Sequence, residues 1–195
     1  MIRRAAPVLL ALLCCAALTA PRAGAADAPW NLGALMQALA ARPGGVADFT
    51  ETKTLALLDQ PLHSSGVLRY AAPDFLEMRT IAPRPQDLVL MGNRVVVTIE
   101  GHEHTFDLRD HPRAAVLIGT IRATLAGDGA ALQRHDRVEL DGTRAHWTLR
   151  LRPRDPHADV RALRVTGSDD QIERIAVTEA NGDRALLRIR PRPLR

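Results

Sequence analysis

His102-Glu103-His104 is the clearest candidate for chemistry in the sequence. On a strand, alternate side chains share a face, so His102 and His104 would stand together as two metal ligands do. No third ligand follows at a recognisable spacing, and there is no HExxH helix. The triplet also comes directly after a turn signal at Glu100-Gly101, where a solvated hairpin end is the simpler expectation. Nucleophilic catalysis finds no better footing. Serine occurs only at Ser64, Ser65 and Ser168, none of them inside a G-x-S-x-G elbow. No catalytic residue, resident metal or cofactor is expected.

The cysteines and the charge point elsewhere. Cys14 and Cys15 lie inside an apolar run, Pro7 to Ala20, that follows Arg3 and Arg4 and precedes the small residues Ala23-Gly24-Ala25. This is the pattern of a secretory signal peptide, so residues 1–25 are expected to be removed and the chain to be exported without disulfides. Three arginines and no acids would leave with that segment, lowering the formal charge from +4 to +1. A nearly neutral, exported chain with 3% aromatic residues argues against a nucleic-acid partner. The arginines of segments 145–152, 161–167 and 184–190 could form a basic outer face for anionic lipid or an acidic partner. Interspersed Asp155, Asp159, Asp169, Asp170, Glu173 and Glu179 make it a mixed, solvated one.

The elements that would position a site are mostly strands. Asn31 is a good N-cap for a helix carrying Leu32, Leu35, Met36 and Leu39 at helical spacing. Strands follow over residues 46–58, 66–71, 75–83, 87–91, 94–99 and from His102, with Gly92-Asn93 as a tight turn. Residues 113–126 change period, placing Ala114, Leu117, Ile118, Ile121 and Leu125 on one helical stripe, and a short helix is expected over 130–134. Strands then return. Trp147, Leu149 and Leu151 alternate with His146, Thr148, Arg150 and Arg152, and Ile175 and Val177 with Arg174, Ala176 and Thr178. Leu163 and Val165, like Leu187 and Ile189, alternate with arginines, and a hairpin turn falls at Asn181-Gly182. Alternation of this kind suits an antiparallel sheet with one solvated face.

The expected fold over residues 26–195 is therefore one α+β, mainly β domain. It is a strongly curved antiparallel sheet, an open half-barrel, with two or three helices lining or lidding its concave apolar face. An inner wall of Leu68, Tyr70, Leu76, Met78, Leu88 and Leu90, faced by a lid of Leu35, Met36, Leu117, Ile118 and Ile121, would make either a tight core or a smooth cavity for alkyl chains. Each buried methylene would gain about 0.8 kcal/mol in such a cavity.

Several short patterns, weak singly, together resemble the periplasmic outer-membrane lipoprotein carriers, the LolA-like family. They are a leading helix, then Phe49-Thr50-Glu51, then Gly66-Val67-Leu68-Arg69-Tyr70-Ala71-Ala72-Pro73-Asp74. Pro83 and Gln86-Asp87-Leu88-Val89-Leu90-Met91-Gly92-Asn93 follow, with Trp147-Thr148-Leu149-Arg150-Leu151-Arg152-Pro153 and Gly182-Asp183 near the end. The correspondence spans about residues 30 to 190. It implies a monomeric periplasmic carrier that sequesters the acyl chains of a lipoprotein or other envelope lipid. Its partners would be an inner-membrane exporter and an outer-membrane acceptor. The alternative is a sensor or accessory module of an envelope lipid or pigment assembly system that uses the same fold through its surface. One departure from the family is Ala72, which stands before the proline where the family has an arginine that ties lid to barrel.

Overall fold

The computed structural model describes residues 30–193, so the expected signal-peptide segment lies outside the described residues. Among them are three α-helices, α1 (Leu32–Ala40), α2 (Pro112–Leu125) and α3 (Gly129–His135). Eleven strands accompany them: β1 (Gly44–Thr54), β2 (Leu62–Ala71), β3 (Phe75–Ala82), β4 (Gln86–Met91), β5 (Arg94–Ile99), β6 (His102–Asp107), β7 (Asp136–Thr143), β8 (His146–Pro153), β9 (Val160–Ser168), β10 (Gln171–Glu179) and β11 (Arg184–Pro191). All pair antiparallel in one sheet of order β6-β5-β4-β3-β2-β1-β11-β10-β9-β8-β7. The first six strands form one meander and the last five another, and the β1–β11 ladder joins them. Because β6 and β7 lie at opposite edges, the chain between them must cross the sheet. Helices α2 and α3 make that crossing.

The expected half-barrel does not form. The sheet is open, with β6 and β7 as its two outer strands, and it is neither closed nor strongly curled. Alternation of apolar and polar residues fixes which face is buried but says nothing of curvature. Bending comes from bulges and register breaks. The ladders record few of these, at Ser65/Gly66 between β2 and β3 and at two points between β9 and β10.

All three helices cover the same face. α1 opens as its N-cap foretold, with the Asn31 side-chain oxygen accepting from the Ala34 amide at 3.0 Å. It buries Leu35, Met36 and Leu39 against Trp147, Leu149, Leu151, Leu163 and Val165 of β8 and β9, in a cluster that also takes Leu132 of α3. A smaller cluster of Leu90, Val95 and Leu108 forms near the other edge, with Ala115 and Ile118 of α2 packed against it.

The two fully buried aromatic side chains of the sheet each stand directly across the ladder from a glycine. Phe49 faces Gly66 and Trp147 faces Gly167. A Cβ at Gly66 would fall 2.9 Å from the Phe49 ring, and one at Gly167 2.5 Å from that of Trp147. With a backbone carbonyl closer still at each position, only glycine fits there.

On the opposite, solvated face Glu77 is nearly buried between two guanidinium groups, Arg79 at 3.1 Å and Arg69 at 3.6 Å. Arg79 also reaches Asp87 at 3.1 Å, so one ion-pair chain crosses β2, β3 and β4.

Strand β1 ends at Thr54, four residues before the expected boundary at 58. The Leu58 amide donates to the Leu55 carbonyl at 3.0 Å and the Ala56 amide to the Asp183 carboxylate at 2.7 Å, which turns the chain out of the ladder. Strand β7 had no counterpart among the expected strands.

Candidate functional site

Between the two packed clusters the helix layer and the sheet do not meet closely. A cavity of about 390 Å³ lies there, within the range that holds a drug-sized ligand. Its floor is built by the register. Leu68 of β2 pairs with Ala47 on one side and Met78 on the other, and Met78 pairs in turn with Leu88. One step along, Tyr70 pairs with Gly45 and Leu76, and Leu76 with Leu90. The other half of the floor is Ile175, Val177, Leu187 and Ile189 of β10 and β11. The roof is α2, through Leu117, Ile118, Ile121 and Leu125. The middle stays open because Gly44, Gly45, Ala47 and Ala185 contribute little volume where aromatic residues would have filled it.

The expected wall residues Leu68, Tyr70, Leu76, Met78, Leu88 and Leu90 thus all line one cavity, together with Leu117, Ile118 and Ile121 of the expected lid. Leu35 and Met36 do not. Leu35 is fully buried in the β8–β9 core, and Met36 is buried beside it. Their helical stripe shows that they are buried, not what against. Sequence reasoning passed over the β10–β11 half of the floor, although the alternation of Ile175, Val177, Leu187 and Ile189 is plain in the chain.

Charges mark the two ends. At one, the Arg42 side chain donates to Asp170 at 3.0 Å; at the other, Glu51, Lys53 and Glu179 reach the lining. Ser64 donates to Glu51 at 3.1 Å.

Arg122 ties the roof to the sheet. Its guanidinium donates to the Gly92 carbonyl in the β4–β5 turn at 2.9 Å and lies 4.0 Å from the Asp74 carboxylate in the β2–β3 turn. The family's tie was expected before the proline, where this chain has Ala72. Here an arginine on the helix reaches back to the sheet instead. Arg69 is turned to the solvated face, towards Glu77. The sequence did hold one clue, since Arg122 is the lone charge in the stretch LIGTIRATLA. Nearby, the Tyr70 hydroxyl is buried without a hydrogen-bond partner, and desolvation pushes its pKa up, with Arg122 opposing and Asp74 reinforcing the shift.

His102 and His104 fall on the outer strand β6, both exposed. No group of three or more His, Cys, Asp or Glu side chains suited to a metal gathers among the described residues. No described helix is long and apolar enough to cross a membrane.

A second cleft, about 500 Å³, lies on the other flank of α2 and shares only Leu117 with the first. Asp136, 2% exposed, sits in its wall and accepts from the Thr120 hydroxyl at 3.0 Å. Burial pushes its carboxyl pKa up, partly opposed by Thr120, His135 and Arg154. The folded chain therefore holds this proton more tightly than the unfolded one. Its contribution is greatest below the ordinary carboxylate range and is lost as pH rises through the raised value. Asp136→Asn is expected to remove that slope and stabilise the fold at neutral pH. Thermal melts between pH 3 and 8 check this, and an unchanged slope would contradict it.

The full sequence matches, over residues 20–188, the family described as "Outer membrane lipoprotein carrier protein LolA-like". The chain belongs to that family. Membership puts this LolA-like protein among carriers and accessory proteins of outer-membrane lipid traffic, not among enzymes. No curated protein sequence matches it. Among solved structures, a LolA superfamily protein from Nitrosomonas europaea is similar at 11% identity, covering 83% of this chain and 93% of that one, with a TM-score of 0.43. A putative outer membrane lipoprotein-sorting protein domain from Vibrio parahaemolyticus is similar at 9% identity, covering 83% and 91%, with a TM-score of 0.45. The MucA/MucB complex of Pseudomonas aeruginosa contains a chain similar at 12% identity, covering 84% and 58%, with a TM-score of 0.42.

Proposed function

We propose that this LolA-like protein is a periplasmic carrier that takes the acyl chains of a lipoprotein or other envelope lipid into the cavity under α2. It would receive its cargo from an inner-membrane exporter and release it to an outer-membrane acceptor. The observation that carries the reading is the unfilled, apolar middle of the sheet face, flanked by two clusters that are packed tightly. Acyl chains would leave water for leucine, isoleucine and valine side chains, each methylene contributing about 0.8 kcal/mol. No nucleophile is required.

The first experiment is lipid extraction and mass spectrometry on protein purified from its native periplasm without detergent. Stoichiometric acylated molecules would support the carrier and name its cargo class. Lipid-free protein that also fails to bind a fluorescent fatty acid would mean that the oily face is core alone, leaving the surface-acting accessory module.

Release requires α2 to lift, and Arg122 opposes that movement. A charge-assisted hydrogen bond of this kind is worth about 1.5–3 kcal/mol, less where it is partly exposed. Arg122→Ala is expected to cost about 1 kcal/mol of stability and to speed release of a bound fatty-acid probe several-fold. Stopped-flow displacement measures the rate, and an unaltered rate would remove Arg122 from the release step.

A further inference from the structure

The β1–β2 loop, together with the first residue of β2, carries the largest exposed apolar group of the described chain. Leu57 is 97% exposed, Leu58 47% and Leu62 50%. Nothing in the fold demands leucine there, because the loop is held by backbone contacts, the Leu58–Leu55 turn and the Ala56 amide on Asp183. Its position is the informative part. Leu62 stands directly across the ladder from Lys53, and Lys53 lines the cavity. Ala185, the partner of Lys53 in β11, lines it too, as does Glu179 of β10. The loop therefore projects from the Lys53–Glu179 end of the cavity, away from the end closed by the Arg42–Asp170 pair.

We infer that the 55–62 loop is a membrane-docking tip whose leucines insert into a lipid bilayer, holding the Lys53–Glu179 mouth of the cavity against the membrane surface. Three leucines on one hairpin tip offer far less than the roughly 1,000 Å² that a stable protein interface buries. A bilayer sets no such threshold, because each side chain gains separately on leaving water. The flanking charge is mixed, with Lys53 and Arg184 beside the tip, Asp59 within it and Asp183 and Glu179 at its base. An apolar point is thus set on a polar collar with no basic excess, and docking rests on the leucines. The inference rests on the carrier reading for its purpose, since a mouth pressed to a membrane lets chains pass without crossing water. Its physical claim is separate.

The test uses the exported protein and the double substitution Leu57→Asp, Leu58→Asp. Both positions are exposed, so the fold is expected to persist, which circular dichroism verifies. Flotation with phosphatidylethanolamine–phosphatidylglycerol vesicles reads docking without any cargo. The wild type should float with the vesicles at high salt as well as low, and the variant's partition should fall about a hundredfold. Equal flotation of the two proteins, or flotation of the wild type abolished by salt, would overturn the inference. So would a wild type that ignores vesicles and loses only a protein partner on substitution. Binding of a soluble fluorescent fatty acid, measured in parallel, tests the carrier reading alone. A variant that binds the probe normally but does not float separates the two.

Discussion

Leu68→Glu is expected to abolish acyl-chain binding while leaving the protein folded. Leu68 lines the floor of the cavity between Ala47 and Met78 and is a member of neither packed cluster. Its replacement therefore opens no hole in either core, and the new side chain can be hydrated through the cavity while that is empty. An incoming alkyl chain would have to strip that water from a carboxylate set between Ala47 and Met78 on the apolar floor. Burying such a charge unpaired costs several kcal/mol, so affinity for a fluorescent fatty acid should fall at least about a hundredfold. Leu68→Met is the matched control and should bind nearly as the wild type does. Full binding by a folded glutamate variant would show that the chains do not lie on this floor.

Trp147→Ala should have the largest effect on stability. The indole is 2% exposed, lies over Gly167 and donates through Nε1 to the Asp169 carbonyl at 3.1 Å. Its loss removes the largest fully buried side chain of the core. It also leaves a void over a glycine that has no side chain to fill it. Truncations of this kind cost about 3–5 kcal/mol. In a domain of this size that corresponds to a fall in melting temperature of roughly 10 °C. A fall of only a degree or two would mean that the β8–β9 core collapses into the space.

Much of this arrangement is legible in the chain because it is periodic. Trp147, Leu149 and Leu151 must share a face, and so must Leu187 and Ile189, whatever partners they find. Helices α1 and α2 were equally plain from the Asn31 cap and the stripe running from Ala114 to Leu125. What resists reading is whatever depends on distant parts of the chain or on a balance between neighbours. Leu55, Leu57 and Leu58 look like continuing strand, and only the grip of Asp183, far along the sequence, shows that they leave it. Strand β7 begins with a buried aspartate and alternates Val138 and Leu140 with charges, a weak signal next to the apolar helix before it. The Arg122 tie ends on a backbone carbonyl, which leaves no mark in sequence. Curvature was over-read, since the alternating pattern of a flat sheet and of a rolled one is the same.

The β1–β11 ladder carries a consequence for the order in which such a chain folds. Every other ladder joins strands that are neighbours in the chain, and those hairpins are able to form as they emerge. The seam between the two meanders waits for the last strand, because Ala47 near the start of β1 must meet Pro191 at the end of β11. Until then β1 presents a bare edge, and the half of the cavity floor supplied by Leu187 and Ile189 does not exist. A chain caught before its final strand has paired would thus be half folded and without a complete cavity, so that the proposed capacity to hold a lipid would arrive only with the last residues of the sheet.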